Sequence, residues 1–74
     1  MSKGAIIEAT REVIQDLGIQ GDVLYVEQEV DKAASWKVGF TADIPHITIE
    51  YSSGDAFEDL LYRIRKKLAP LAQR

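Results

Sequence analysis

Between Trp36 and Leu68 the spacing of apolar residues changes period once, and that change constrains the fold more than any other feature of the chain. Trp36, Val38, Phe40 and Ala42 alternate with polar or small residues, and Ile47, Ile49 and Tyr51 do the same. After Ser53-Gly54-Asp55 the spacing becomes that of Phe57, Leu60, Leu61, Ile64 and Leu68. Period-two alternation turns one side of a strand to a core, whereas i, i+3, i+4 spacing lays an apolar stripe along a helix. The stretch therefore predicts strand, strand and amphipathic helix, all sharing one apolar side.

The residues before it read as one helix and one strand. Ile6, Ile7, Val13, Ile14 and Leu17 fall on one face of a helix over residues 4–17, with Glu8, Arg11, Glu12, Gln15 and Asp16 turned away. Gly18 follows the last apolar residue, where a left-handed terminator belongs, and Gly21-Asp22 turns the chain onward. Val23, Tyr25, Val26 and Val30 predict a strand over 22–30, with Leu24, Val26 and Val30 facing inward in preference to Gln28. Residues 31–35 form a connection of hairpin length, so this strand pairs antiparallel with the one beginning at Trp36. A turn or a loose strand edge falls at Asp43-Ile44-Pro45, because Pro45 holds Ile44 extended and brings no donor to a ladder. Asp55 is placed to cap the second helix, with Glu58 three residues on and Asp59 adding a carboxylate to its first turn. Pro70 is expected to stop or kink that helix and leave a fraying tail.

Three consecutive short-looped strands form an antiparallel meander, and two helices with one apolar stripe each must both cover its single apolar face. The predicted fold is α+β, a two-layer αβββα sandwich with both helices on the same face, in a single domain over residues 1–74. A chain of this length buries only about 60% of the surface it exposes when unfolded, so a partner or a second copy would add to a small core. With no cysteine, neither disulfides nor thiolate metal sites staple it. Met1-Ser2-Lys3-Gly4 leads into a charged helical pattern and no apolar run is of bilayer length, so the expectation is a soluble, cytoplasmic chain without membrane contact.

The net charge of −3 hides a division. Residues 1–59 hold all twelve carboxylates against Lys3, Arg11, Lys32 and Lys37, a balance of −8, whereas residues 60–74 hold Arg63, Arg65, Lys66, Lys67 and Arg74, a balance of +5. An acidic body repels phosphate backbones and favours basic partners, while the basic last helix stays open as a local nucleic-acid contact.

Catalytic chemistry has little to stand on. His46 is the only histidine and lies on the polar side of its strand with Thr48 and Glu50, near Asp43; a lone general base for RNA cleavage needs a second group that the spacing does not supply. Asp22, Glu27, Glu29 and Asp31 lie along a strand and not in a calcium-loop spacing, so no metal and no cofactor is expected. Ser52-Ser53-Gly54-Asp55 precedes a helix N-terminus, where anions bind, but Asp55, Glu58 and Asp59 already occupy that positive end. Gly39, on the polar side of the middle strand, marks a bulge, a bend or a close approach by another backbone or a partner.

Two resemblances follow. The helix-strand-strand-strand-helix order resembles the double-stranded RNA-binding domain and the HicA toxins built on the same plan. In the RNA-binding domain the second helix opens with lysines that grip phosphates; here that turn is Asp55-Ala56-Phe57-Glu58-Asp59, a reversal of charge. The glycine-serine-histidine signature of HicA-like toxins is absent. Residues 23–71 resemble the HicB-like antitoxin domain in Val30-Asp31-Lys32-Ala33-Ala34-Ser35-Trp36-Lys37-Val38, in Asp43-Ile44-Pro45, and in Gly54-Asp55-Ala56-Phe57-Glu58-Asp59-Leu60-Leu61. His46 stands where that family usually has glycine, an extra helix precedes the first strand, and no DNA-binding domain follows the second helix. The resemblance implies a protein-binding domain, in the family often masking a basic ribonuclease toxin, without operator binding of its own.

The leading expectation is a non-enzymatic protein-interaction module, antitoxin-like or inhibitor-like, with a basic protein as partner. Its contact surface is the polar side of the sheet with an edge strand, where Tyr25, Glu27, Glu29, Lys37, Thr41, His46, Thr48 and Glu50 are exposed; Tyr25, Glu27, Glu29 and Glu50 are the partner-binding candidates. The alternative is nucleic-acid binding through Arg63, Arg65, Lys66 and Lys67. A ribonuclease using His46 ranks last, and a homodimer, invited by an edge strand and a small core, is compatible with all three.

Overall fold

The alternating residues form strands and the periodic ones helices in the order the spacing predicts: α1 (Ser2–Leu17), β1 (Val23–Gln28), β2 (Ser35–Phe40), β3 (Ile47–Glu50) and α2 (Phe57–Ala72). The structure is a computed structural model and describes residues 2–41, 43–52 and 54–72; the inward place expected of Ala42, and Ser53 at the period change, lie outside the described residues. The sheet is antiparallel in the order β1-β2-β3, an α+β meander as expected. One side of it supplies Val26, Val38, Phe40, Ile47 and Ile49 to the core. Ile6, Ala9, Val13 and Ile14 of α1 and Leu60, Ile64 and Leu68 of α2 close over them. The first helix packs on β1, the second on β3, and the two pack on each other.

α1 buries more than its apolar residues. Thr10 is fully buried, and its hydroxyl donates to the Ile6 carbonyl of the preceding turn at 2.6 Å, which removes the cost of an unpaired polar group in the core. Gly18 ends the helix with φ +69°, and the Ile19 N–H reaches back to the Ile14 carbonyl at 3.1 Å, the bond of a left-handed helix stop.

β1 departs from the expected pattern. Val23 lies opposite Phe40 but Tyr25 lies opposite Gly39, so Leu24 is an extra residue bulged out of the ladder. Leu24 is 65% exposed and Val30, beyond the end of the strand, is 97% exposed; only Val26 of the three expected inward residues is buried. The bulge replaces Leu24 by Val23 in the inward set beside Val26, and Val30 is lost from it because the strand ends at Gln28 and Val30 lies in the turn.

Gly39 answers to Tyr25. A Cβ at position 39 would sit 2.0 Å from Cε2 of the Tyr25 ring, so the aromatic ring lies directly over the glycine across the strand pair. The close approach is made from within the chain, and the bulge occurs one residue away on β1.

At the C-terminal end, α2 runs through Pro70 to Ala72 where a stop was expected. A proline this late forfeits one backbone hydrogen bond, and Leu71 still packs against the core, so the last turn persists.

Gly39→Ala is expected to cost about 1–3 kcal/mol, because the ring must leave its seat or the strands must part. Urea unfolding measures it, and in a Tyr25→Ala background the same substitution should cost clearly less; equal costs in both backgrounds would refute the ring contact.

Candidate functional site

With both helices on one side, the other side of the sheet is uncovered, and the register arranges its side chains in rows. Ser35 lies between Glu29 and Glu50, Lys37 between Glu27 and Thr48, and Gly39 opposite Tyr25. All four partner-binding candidates therefore lie on this face, at different stations. Tyr25 is half-buried over Gly39, with Leu24 exposed beside it. Glu27 is exposed opposite Lys37. Glu29 is half-buried and accepts the Ser35 hydroxyl at 2.5 Å, which fixes it at the end of the sheet. Glu50 is exposed at the end of β3. His46 and Thr41 are exposed, and no side-chain hydrogen bond of His46 occurs among the described residues.

The connection from β1 to β2 is tightly bonded. Glu29 N–H donates to the Ser35 carbonyl at 2.9 Å, Ser35 N–H to the Lys32 carbonyl at 3.0 Å, and the Gln28 amide to the Ala33 carbonyl at 2.6 Å. That turn carries Lys32 to the far end of the sheet. There an open cleft is lined by Lys32, Ser35, Thr48, Glu50 and Glu29 together with Arg63, Lys66 and Lys67 of α2. Lys32 was not among the sequence candidates, since only the hairpin geometry brings it beside α2.

The turn into α2 is organised by Asp55, in a role other than the expected cap. The helix begins at Phe57, and the Ala56 carbonyl takes the first helical bonds. The Asp55 N–H donates to the Ser52 carbonyl, and its carboxylate accepts the Ser52 N–H, each at 2.9 Å. The same carboxylate oxygen accepts Arg63 at 2.9 Å, and Arg63 also donates to the Glu50 carbonyl at 2.8 Å. A carboxylate closing its own turn is a stronger partner here than the helix start, because Arg63 waits two turns along α2. Asp22 does the corresponding work at the start of β1, accepting the Val23 N–H at 2.7 Å and Arg11 at 3.1 Å.

The four cations considered for nucleic acid thus divide. Arg63 is tied to Asp55, and Arg65 to Asp16 of α1 at 2.5 Å. Lys66 lies 5.5 Å from the centre of the Tyr62 ring, and Lys67 is exposed. Among the described residues no group of three or more histidine, aspartate or glutamate side chains could hold a metal ion, and no helix is long and apolar enough to cross a membrane. No family model, characterised protein or solved structure matches the chain.

Hydrogen bonds to Arg63 and Ser52 hold the Asp55 carboxyl below its ordinary value of 3.8, and those to Val23 and Arg11 do the same for Asp22. A depressed folded-state value adds stability that is complete above the unfolded value and is lost as pH falls through the folded one. The urea midpoint should therefore hold steady above about pH 5 and decline below about pH 4. Asp55→Asn and Asp22→Asn should each lower the plateau and flatten the decline; an acid slope unchanged in both variants would rule out these two pairs as its source.

Proposed function

We propose that this chain is a non-enzymatic protein-interaction module that docks a basic partner on the open face of its sheet. The observation that carries the reading is the pairing of apolar and acidic groups on a side that no helix covers. The bulge leaves Leu24 exposed beside Tyr25, a small apolar patch with Glu27 next to it, and Glu29 and Glu50 lie at the far end of the same face, where Lys37 is the one cation in the rows between. Exposed apolar side chains give a docking surface its contact area, and charge of one sign steers an oppositely charged partner to it. The HicB-like resemblance over residues 23–71 points to the same class, an antitoxin-like or inhibitor-like protein whose target is a basic protein.

The nucleic-acid alternative is weaker on this geometry. Two of its four cations, Arg63 and Arg65, are already engaged with carboxylates, and Lys66 and Lys67 share their cleft with Glu29 and Glu50. Phosphate contacts need cations that are not already neutralised.

Capture on the tagged chain from its native extract, with and without nuclease, followed by titration of the captured protein, tests the proposal. A basic protein should be retained with nuclease present, and both Leu24→Ser and Glu27→Lys should weaken it by roughly tenfold or more. Both positions are exposed, so folding should survive both changes. Retention that nuclease abolishes, or that neither substitution affects, would remove the open face from consideration.

A further inference from the structure

The edge of β3 away from β2 carries backbone groups with a defined direction. The Tyr51 N–H donates to the Ala34 carbonyl at 2.8 Å, and stepping back by twos along the ladder reaches Ile49 opposite Trp36 and Ile47 opposite Val38. In an antiparallel ladder both polar groups of a residue point the same way, and the direction alternates along the strand. Tyr51, Ile49 and Ile47 therefore address β2, and Thr48 and Glu50 address the outer edge. Arg63 agrees with this, since it reaches the Glu50 carbonyl from outside the sheet. Among the described residues the Thr48 N–H and C=O and the Glu50 N–H enter no hydrogen bond.

Charge of opposite sign lies on the two sides of this edge. On the helix side are Lys66 and Lys67 beside Arg63, with Lys32 of the β1–β2 turn at the end; on the open side are Thr48 and Glu50, with Glu29 further off across Ser35. A strand laid along the edge would send alternate side chains to the two sides. We propose that the β3 edge accepts an extended segment of another protein as a fourth strand, and that the segment is acidic at every second position. Its backbone pairs with Thr48 and the Glu50 N–H, its carboxylates face Lys66 and Lys67, and its intervening residues, neutral or basic, lie beside Glu50. Main-chain pairing with alternate side chains read by flanking groups is an established way of recognising a peptide.

Two other occupants fit less well. A second copy paired β3 to β3 about a two-fold axis would bring two sets of Arg63, Lys66 and Lys67 together, like against like. A nucleic-acid strand would place phosphates beside Glu29 and Glu50 and would leave the Thr48 backbone unread. The edge site borders the open face at Glu50 and Glu29 but includes neither Leu24 nor Glu27, so Leu24→Ser and Glu27→Lys should leave it intact.

The test uses the whole chain and a fluorescent peptide alternating glutamate with threonine. A peptide of the same composition with its glutamates in one block, and a single-stranded oligonucleotide, serve as comparisons. The alternating peptide should bind, and the block peptide should bind roughly tenfold more weakly or worse. Lys66→Glu with Lys67→Glu should cost the alternating peptide roughly tenfold or more, and saturation should slow amide exchange at Thr48 and Glu50. Thr48→Pro removes the outward N–H at an edge position where proline is tolerated, so it should abolish binding with the circular dichroism unchanged. If that variant does not fold, amide protection in the unaltered chain decides alone. Equal binding of the two peptides, exchange unchanged at Thr48 and Glu50, or binding of the oligonucleotide in place of the peptide would overturn the proposal.

Discussion

A three-stranded sheet with a single apolar face is the constraint from which the rest of this structure follows. Val26, Val38, Phe40, Ile47 and Ile49 leave water together only if something covers all of them. One helix spans only part of that width, so α1 takes the β1 flank, α2 takes the β3 flank, and the two meet above the middle. Ile6, Val13, Leu60, Ile64 and Leu68 become wholly inaccessible as a result. Both helices are then committed to one side. The opposite face and the sheet edges are what folding leaves over, and they are where recognition can occur.

Electrostatics works on this frame mainly as geometry. Arg11–Asp22 ties α1 to the start of β1, Asp16–Arg65 ties α1 to α2, and Asp55–Arg63 ties the last turn to α2. Exposed ion pairs of this kind contribute little to stability one at a time, but each of these joins different elements and so restrains how they sit. They also change what the surface offers. The helix that is basic by composition has its two central arginines facing carboxylates, and its outward positive character is carried by Lys66 and Lys67. The acidic body is similarly reduced, since Asp16, Asp22 and Asp55 are occupied, whereas Glu27 and Glu50 remain exposed on the sheet.

The parts of the fold legible in the sequence are those where one periodicity acts alone. β2, β3 and α2 follow directly from the alternation of Trp36, Val38 and Phe40, that of Ile47 and Ile49, and the stripe of Leu60, Ile64 and Leu68. β1 differs at Leu24 because a bulge inserts a residue without a mark in its own strand, the nearest sign being Gly39 on the partner, whose missing side chain makes room for Tyr25; it differs at Val30 because the strand ends at Gln28 and an apolar residue stands in the turn. Asp55 has the sequence context of a helix cap, and only the position of Arg63 two turns on shows why its carboxylate turns elsewhere. Pro70 reads as a stop by local chemistry, but the burial of Leu68 and the packing of Leu71 hold the last turn. Of the site, the face shared by Tyr25, Glu27, Glu29 and Glu50 could be read from parity. Its division into an apolar patch at Leu24 and a mixed cleft around Lys32 depended on the bulge and the hairpin, which are properties of paired strands.

The β1 edge is acidic and the helix side of the β3 edge is basic, and that raises the question of why copies of the chain should not join edge to edge. Glu27, Glu29 and Asp31 lie along or just beyond β1, and Lys66 and Lys67 lie beside β3, so sign alone would favour head-to-tail stacking into an open filament. The bulge at Leu24 opposes it, because it bends β1 and breaks the even spacing of backbone groups that a flat partner would need. β3 has no bulge, but it is four residues long, and Arg63 already occupies the carbonyl at its end. Each edge is thus limited by a different device: β1 by its shape, β3 by its length and flanking charge. A strand from another protein, without the bulge and with carboxylates on one side only, meets the β3 edge without the distortion that a copy of β1 would bring.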